Sequence, residues 1–190
     1  MSEVEKVHVE RETLAVEVNI PGHEARTTTA LFTRSKKLLI EREGGRCFIS
    51  GATAEQSGHP LEAHHYPVER SMANMWDWPR FAFDCKKGQW GPHAQAFDWD
   101  GFFRDAKVTV IPALHPLEND VQIVEPRDPY LFVDDMTVNG MLLTKQHHTA
   151  KNDGIHDMPF PLWIAKRYGR EGYVFSRTET IHHFEGEGHE

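Results

Sequence analysis

Leu61-Glu62-Ala63-His64-His65-Tyr66-Pro67 and, much later, Asn139-Gly140-Met141-Leu142-Leu143-Thr144-Lys145-Gln146-His147-His148 decide how this chain is read. On an extended strand successive side chains point to opposite faces, so His64 and His65 face apart. One can then hold a metal while its neighbour moves a proton. On a helix a step of four places His148 and Asn152 on one face, within reach of one ion. The two stretches therefore read as halves of one metal-dependent phosphodiesterase site.

Upstream, the spacing predicts a helix over about 28–43, with Leu31, Leu38, Leu39 and Arg42 near one face and Gly44-Gly45 as its stop. Arg34, Lys36 and Lys37 fall on its exposed side. Residues 46–51 read as a β-hairpin or knuckle. Further back, Val7 and Val9, then Leu14, Val16, Val18 and Ile20, keep a period of two and predict an N-terminal β-hairpin within 1–27, closed by Pro21-Gly22. Between the motifs, 71–136 reads as an aromatic-rich insertion, carrying Met75-Trp76-Asp77-Trp78-Pro79 and strands at 108–111 and 121–124. It packs its aromatics into a small core of its own, and could also cap the site, read substrate or form a homodimer contact. Cys85 and His93 lack ligand spacing and read as structural. Past the second motif, 161–168 predicts a helix with a basic end, 171–175 a strand, and 179–190 an acidic, frayed tail.

The chain has 190 residues, five Trp and eleven Phe, enough to bury a real core as one domain. It has no apolar run near the roughly 20 residues of a membrane helix, and no basic, apolar leader. Two cysteines, Cys47 and Cys85, give no disulfide framework, so a reducing, cytoplasmic setting is expected. The net charge of −8 speaks against nucleic acid, but its distribution tempers this. Residues 25–70 carry seven basic and five acidic side chains, and 139–178 six and three, so the motif-bearing parts are net positive. Fields decay over about 8 Å at physiological salt, and a local basic face can still bind phosphate.

A helix ending in Gly44-Gly45-Arg46-Cys47, a turn ending in Gly51, Leu61-Glu62-Ala63-His64-His65, and then Asn139 with His148 nine residues on together resemble the HNH endonucleases. The resemblance covers roughly 30–70 and 137–175. It implies an α+β chain built on a ββα-metal core: a β-hairpin followed by a helix, clasping one divalent metal. The core would be 28–70 with 137–178 in a single domain, split by the insertion 71–136. Many family members also carry a zinc held by two cysteine pairs. Here Ser50, Thr144 and His147 stand at three of the four positions, and a closed zinc site wants four ligands, so no structural zinc is expected. The 74 positions between His65 and Asn139 are also unusual for the family.

Phosphodiester hydrolysis needs an activated water and neutralisation of charge on the phosphate and the departing oxygen. We assign His65 as general base, since a neutral imidazole accepts a proton near pH 7. His64 and His148 are the metal ligands, with Asn152 as a third ligand or a substrate contact. His156 is a reserve ligand at the wrong spacing. The resemblance gives Asn139 the task of holding the loop that orients His65. Lys151, Lys166 and Arg167 are candidates for holding the DNA backbone. Histidine-rich ligation suits Zn2+, Ni2+ or Mn2+ better than Mg2+. A fold that has lost catalysis and only binds nucleic acid or protein, and a different metal-dependent phosphodiesterase, are the competing expectations.

Overall fold

The computed structural model describes residues 28–113, 119–158 and Trp163. The N-terminal hairpin, the helix and strand expected after Pro161, Lys166, Arg167 and the acidic tail lie outside these residues. The chain divides into two compact units, one of Asn19–Thr144 and one that takes up the chain at Lys145. At the coarsest level the protein is mixed α+β, with two small two-stranded antiparallel sheets.

In the first unit, helix α1 (Ala30–Arg42) begins where the Thr29 hydroxyl accepts the Phe32 N–H at 3.0 Å. It ends where Gly44 and Gly45 adopt left-handed backbone, and the Gly45 N–H reaches back to the Ile40 carbonyl. Its inward face differs from the expectation. Leu38 is 48 % exposed, and Ser35 is buried beside Leu39 instead. A hydroxyl is tolerated there because Ser35 Oγ accepts the buried Met136 N–H at 2.9 Å and contacts the Leu31 carbonyl at 2.7 Å. Arg42 clamps the other end of the same segment, donating to the carbonyls of Thr137 (2.6 Å) and Gly140 (2.8 Å).

The expected knuckle is a tight turn closed by a single bridge between Arg46 and Thr53. Helix α2 (Ala54–Ser57) follows, with a reciprocal cap between Thr53 and Gln56. Strand β1 (Glu62–His65) then pairs antiparallel with β4 (Gly140–Leu143), matching His64 to Met141 and His65 to Gly140. The knuckle is tied to this sheet by the Phe48 N–H, which donates to the Leu142 carbonyl at 2.7 Å.

Most aromatics of the intervening chain lie on or beside short helices that periodicity did not anticipate: a 3-10 turn (Arg70–Met75), α3 (Trp78–Lys86), α4 (Gly91–Gln95), α5 (Trp99–Phe103) and α6 (Tyr130–Val133). Two of them start alike. Asp77 caps α3 and Asp98 caps α5, each followed by a tryptophan. Each of those indoles is buried, and its N–H is satisfied at 3.0 Å by the carbonyl five residues earlier, Ala73 or Ala94. The rings gather on Phe132 of α6, with Phe97, Trp99, Phe81 and Trp78 at 5.1, 5.2, 5.3 and 5.7 Å between centroids. Val68 and Val133 close this core. The expected strands form a hairpin of β2 (Lys107–Ile111) and β3 (Val121–Glu125). It leaves Val108, Val110, Ile111, Val121 and Ile123 each 43–57 % exposed.

In the second unit, α7 (Lys145–Thr149) is short. The helical step expected from His148 to Asn152 is therefore absent. The chain instead turns at Asn152, whose φ of 58° is left-handed, a conformation asparagine tolerates better than most residues. Among the described residues, no helix is long and apolar enough to cross a membrane.

Candidate metal and proton-transfer site

Strand alternation gives the two adjacent histidines different surroundings. His64 is 5 % exposed, with Nε2 3.1 Å from Glu69 Oε1. His65, on the other face, packs its ring against Phe32 with centroids 5.7 Å apart. Its Nε2 lies 3.5 Å from Asp134 Oδ1, in ion-pair range but not a well-formed hydrogen bond. Asp134 is 2 % exposed and also faces Arg70 Nε at 3.3 Å. The Arg70 guanidinium in turn lies 4.4 Å from the centre of the Tyr130 ring. Burial alone would raise the Asp134 carboxyl. His65, Thr29 and the charge of Arg70 outweigh it and hold the group below the usual carboxylate range. Asp134 was not anticipated from the sequence, because one aspartate of an Asp134-Asp135 pair carries no periodic signal.

Asn139 is wholly buried and spans the loop that follows His65. Its Oδ1 accepts the Val68 N–H at 2.9 Å, and its Nδ2 donates to the carbonyls of Val68 (2.8 Å) and Val133 (2.9 Å). The Asn139 carbonyl accepts the Tyr66 N–H at 3.0 Å. One amide thus joins the segment leaving β1 to the end of α6, the element that runs into Asp134.

In the second unit the chain beyond α7 folds back on the helix. The N–H of Ile155 donates to the His147 carbonyl at 2.9 Å, and that of Gly154 to the Ala150 carbonyl at 2.8 Å. Only glycine allows this approach, since a Cβ at 154 would meet the His148 carbonyl oxygen at 2.6 Å. Gln146 bonds Asp153, and the buried Trp163 indole N–H donates to the His147 carbonyl at 3.2 Å. The turn brings His156 Nε2 to 3.3 Å from His148 Nε2. Asn152 and Lys151 are exposed on its outer side, with the Asn152 N–H bonded to the Asp157 carboxylate. So the residue the structure sets beside His148 is His156, reached through a turn.

Within the second unit, His148 and His156 face each other as a pair of nitrogen donors that could hold a metal ion. Two imidazole nitrogens bound at about 2.0–2.1 Å in a tetrahedral arrangement would lie roughly 3.3 Å apart, the spacing seen between His148 and His156. Neither zinc pair is complete: Cys47 Sγ lies 4.0 Å from the Thr144 hydroxyl, and Ser50 and His147 stand at the other two positions. Cys85 is buried in the aromatic core, and burial together with the neighbouring Asp84 pushes its thiol up to about 12. No family model, curated protein or solved structure matches this chain.

Proposed function

We propose that the chain is a divalent-metal-dependent endonuclease of the HNH type, hydrolysing DNA phosphodiester bonds with His65 as general base. The observation that carries the reading is the division of labour along β1. One imidazole, His64, faces Glu69, and the next, His65, faces the buried carboxylate of Asp134 on the other side of the strand. The antiparallel pairing of β1 with β4, followed in sequence by α7, is consistent with the proposed ββα-metal core.

The sequence motifs assign His64 and His148 to the ion, and His156, which the turn sets beside His148, would join them, with Asn152 as a substrate contact. A set of imidazoles favours Zn2+, Ni2+ or Mn2+ over Mg2+. When bound, the ion supplies Lewis-acid stabilisation of the charge on the phosphate and the departing oxygen. His65 keeps its own proton at Nε2, toward Asp134, which leaves the Nδ1 lone pair to take a proton from water. Asp134 then faces an imidazolium and steadies it, as a carboxylate does in a proton-transfer dyad. Asn139 fixes the loop after His65, so the ring does not have to be reordered during the reaction. Lys151, Lys166 and Arg167 hold the DNA backbone. The reading places the protein in the cytoplasm, where the buried thiols of Cys47 and Cys85 stay reduced. The exposed apolar side chains of the β2–β3 hairpin are the surface through which it would form a homodimer.

Supercoiled plasmid incubated with Mn2+, Ni2+, Zn2+ or Mg2+, against an EDTA control, tests this. Nicking should appear with at least one ion and disappear with EDTA. His65→Ala should lose about a hundredfold or more of the cutting rate while retaining the ion, and His148→Ala should bind the ion more weakly. Folded protein that nicks under none of these ions would be a non-catalytic module instead.

A further inference from the structure

The 19–144 unit contains a cleft of about 400 Å3 for which the proposed chemistry has no use. Its walls include Phe48, Tyr66, Trp90 and Met141, with Arg42 and His93 among its polar groups. We propose that this cleft receives one unstacked nucleobase of a single-stranded or locally opened DNA segment. The choice of ligand rests on the nuclease reading, whereas the chemistry of the cleft does not.

Trp90 is 39 % exposed although it is among the largest apolar side chains in the unit. It is anchored on one side by Phe81 of the core, at 5.8 Å, and meets Tyr66 edge-on, at 6.3 Å and 71°. The two rings therefore meet edge-on, and a planar ring entering the cleft could stack on the exposed face of Trp90. Such aromatic platforms hold successive bases with little regard to sequence. The Tyr66 phenol adds a hydrogen-bonding group to the cleft wall. The Arg42 guanidinium is fixed by two carbonyls and by Glu43, which supplies a rigid polar edge rather than a loose phosphate-seeking cation. A volume near the lower end of small-ligand pockets admits one base and no duplex. Tyr66 directly follows His65, about 3.8 Å along the backbone, so a base seated there would be a near neighbour of the phosphate being cut.

Full-length protein in EDTA, titrated with a short single-stranded oligonucleotide and with the matching duplex, reads binding without cutting. The single strand should bind more tightly than the duplex and quench tryptophan fluorescence. Trp90→Ala should weaken single-strand binding by roughly 5- to 150-fold, the range for loss of one base–aromatic stack. Trp90→Phe should restore most of it, and far-ultraviolet circular dichroism of both variants should match the parent. Equal affinity of Trp90→Ala and the parent for the single strand, or no preference over duplex, overturns the cleft assignment. Single-strand binding through Trp90 in a protein that never nicks plasmid leaves the cleft standing and removes the nuclease. Nicking with a neutral Trp90→Ala does the reverse.

Discussion

Replacing Asn139 with alanine removes three hydrogen bonds at once. Asn139, Val68 and Val133 are all fully buried, so the Val68 N–H, the Val68 carbonyl and the Val133 carbonyl lose their partner without gaining water. Each orphaned buried group costs about 1–3 kcal/mol. Some relaxation of the loop is expected, which favours the low end and gives a loss of roughly 3–5 kcal/mol. Domains are typically stable by about 5–15 kcal/mol, so the variant should be only marginally folded. Asn139→Asp should be no better, because it keeps the acceptor for Val68 but turns a second carboxylate oxygen toward two carbonyls. Urea unfolding of both variants measures the loss, with Gln122→Ala on the exposed β3 as a control expected within about 0.5 kcal/mol of the parent. Native-state hydrogen exchange should show the Val68 amide losing protection. An Asn139→Ala midpoint within about 1 kcal/mol of the parent, at an unchanged denaturant slope, would show that this amide does not brace the loop after His65.

His156→Ala should weaken Zn2+ or Ni2+ binding at least tenfold by titration calorimetry, while Asn152→Ala changes it little; equal losses would restore Asn152 as the ligand. The depressed carboxyl of Asp134 stabilises the fold above its unfolded value near 3.9, and this contribution is lost as pH falls through the lower folded value. The urea midpoint of the parent should therefore drop between pH 6 and pH 3 by more than that of Asp134→Asn, and parallel drops would contradict the linkage. Val110→Lys combined with Ile123→Lys should shift sedimentation toward monomer without lowering the melting temperature, since both side chains are about half exposed. A parent that is already monomeric at about 100 µM would rule out dimerisation through the hairpin.

Local sequence rules determined several elements unaided. Thr29 and Gly44-Gly45 bracket α1, and alternation sends His64 and His65 to opposite faces of β1. The β2–β3 strands are visible as runs of β-branched residues. All of these depend on neighbours a few residues apart, so the signal is present in the string itself. Tertiary structure decided the rest. The burial of Ser35 in place of Leu38 depends on a Met136 N–H about a hundred residues away, which no helical period contains. Asp134 acquires its meaning only when the chain brings it against His65 and Arg70. His156 reaches His148 because α7 stops at Thr149 and Gly154 permits a fold-back, whereas a rule of fours assumes the helix continues. Spacing identifies a partner only while the backbone stays regular; once a chain turns, the contacts are chosen by which buried polar groups can be satisfied together.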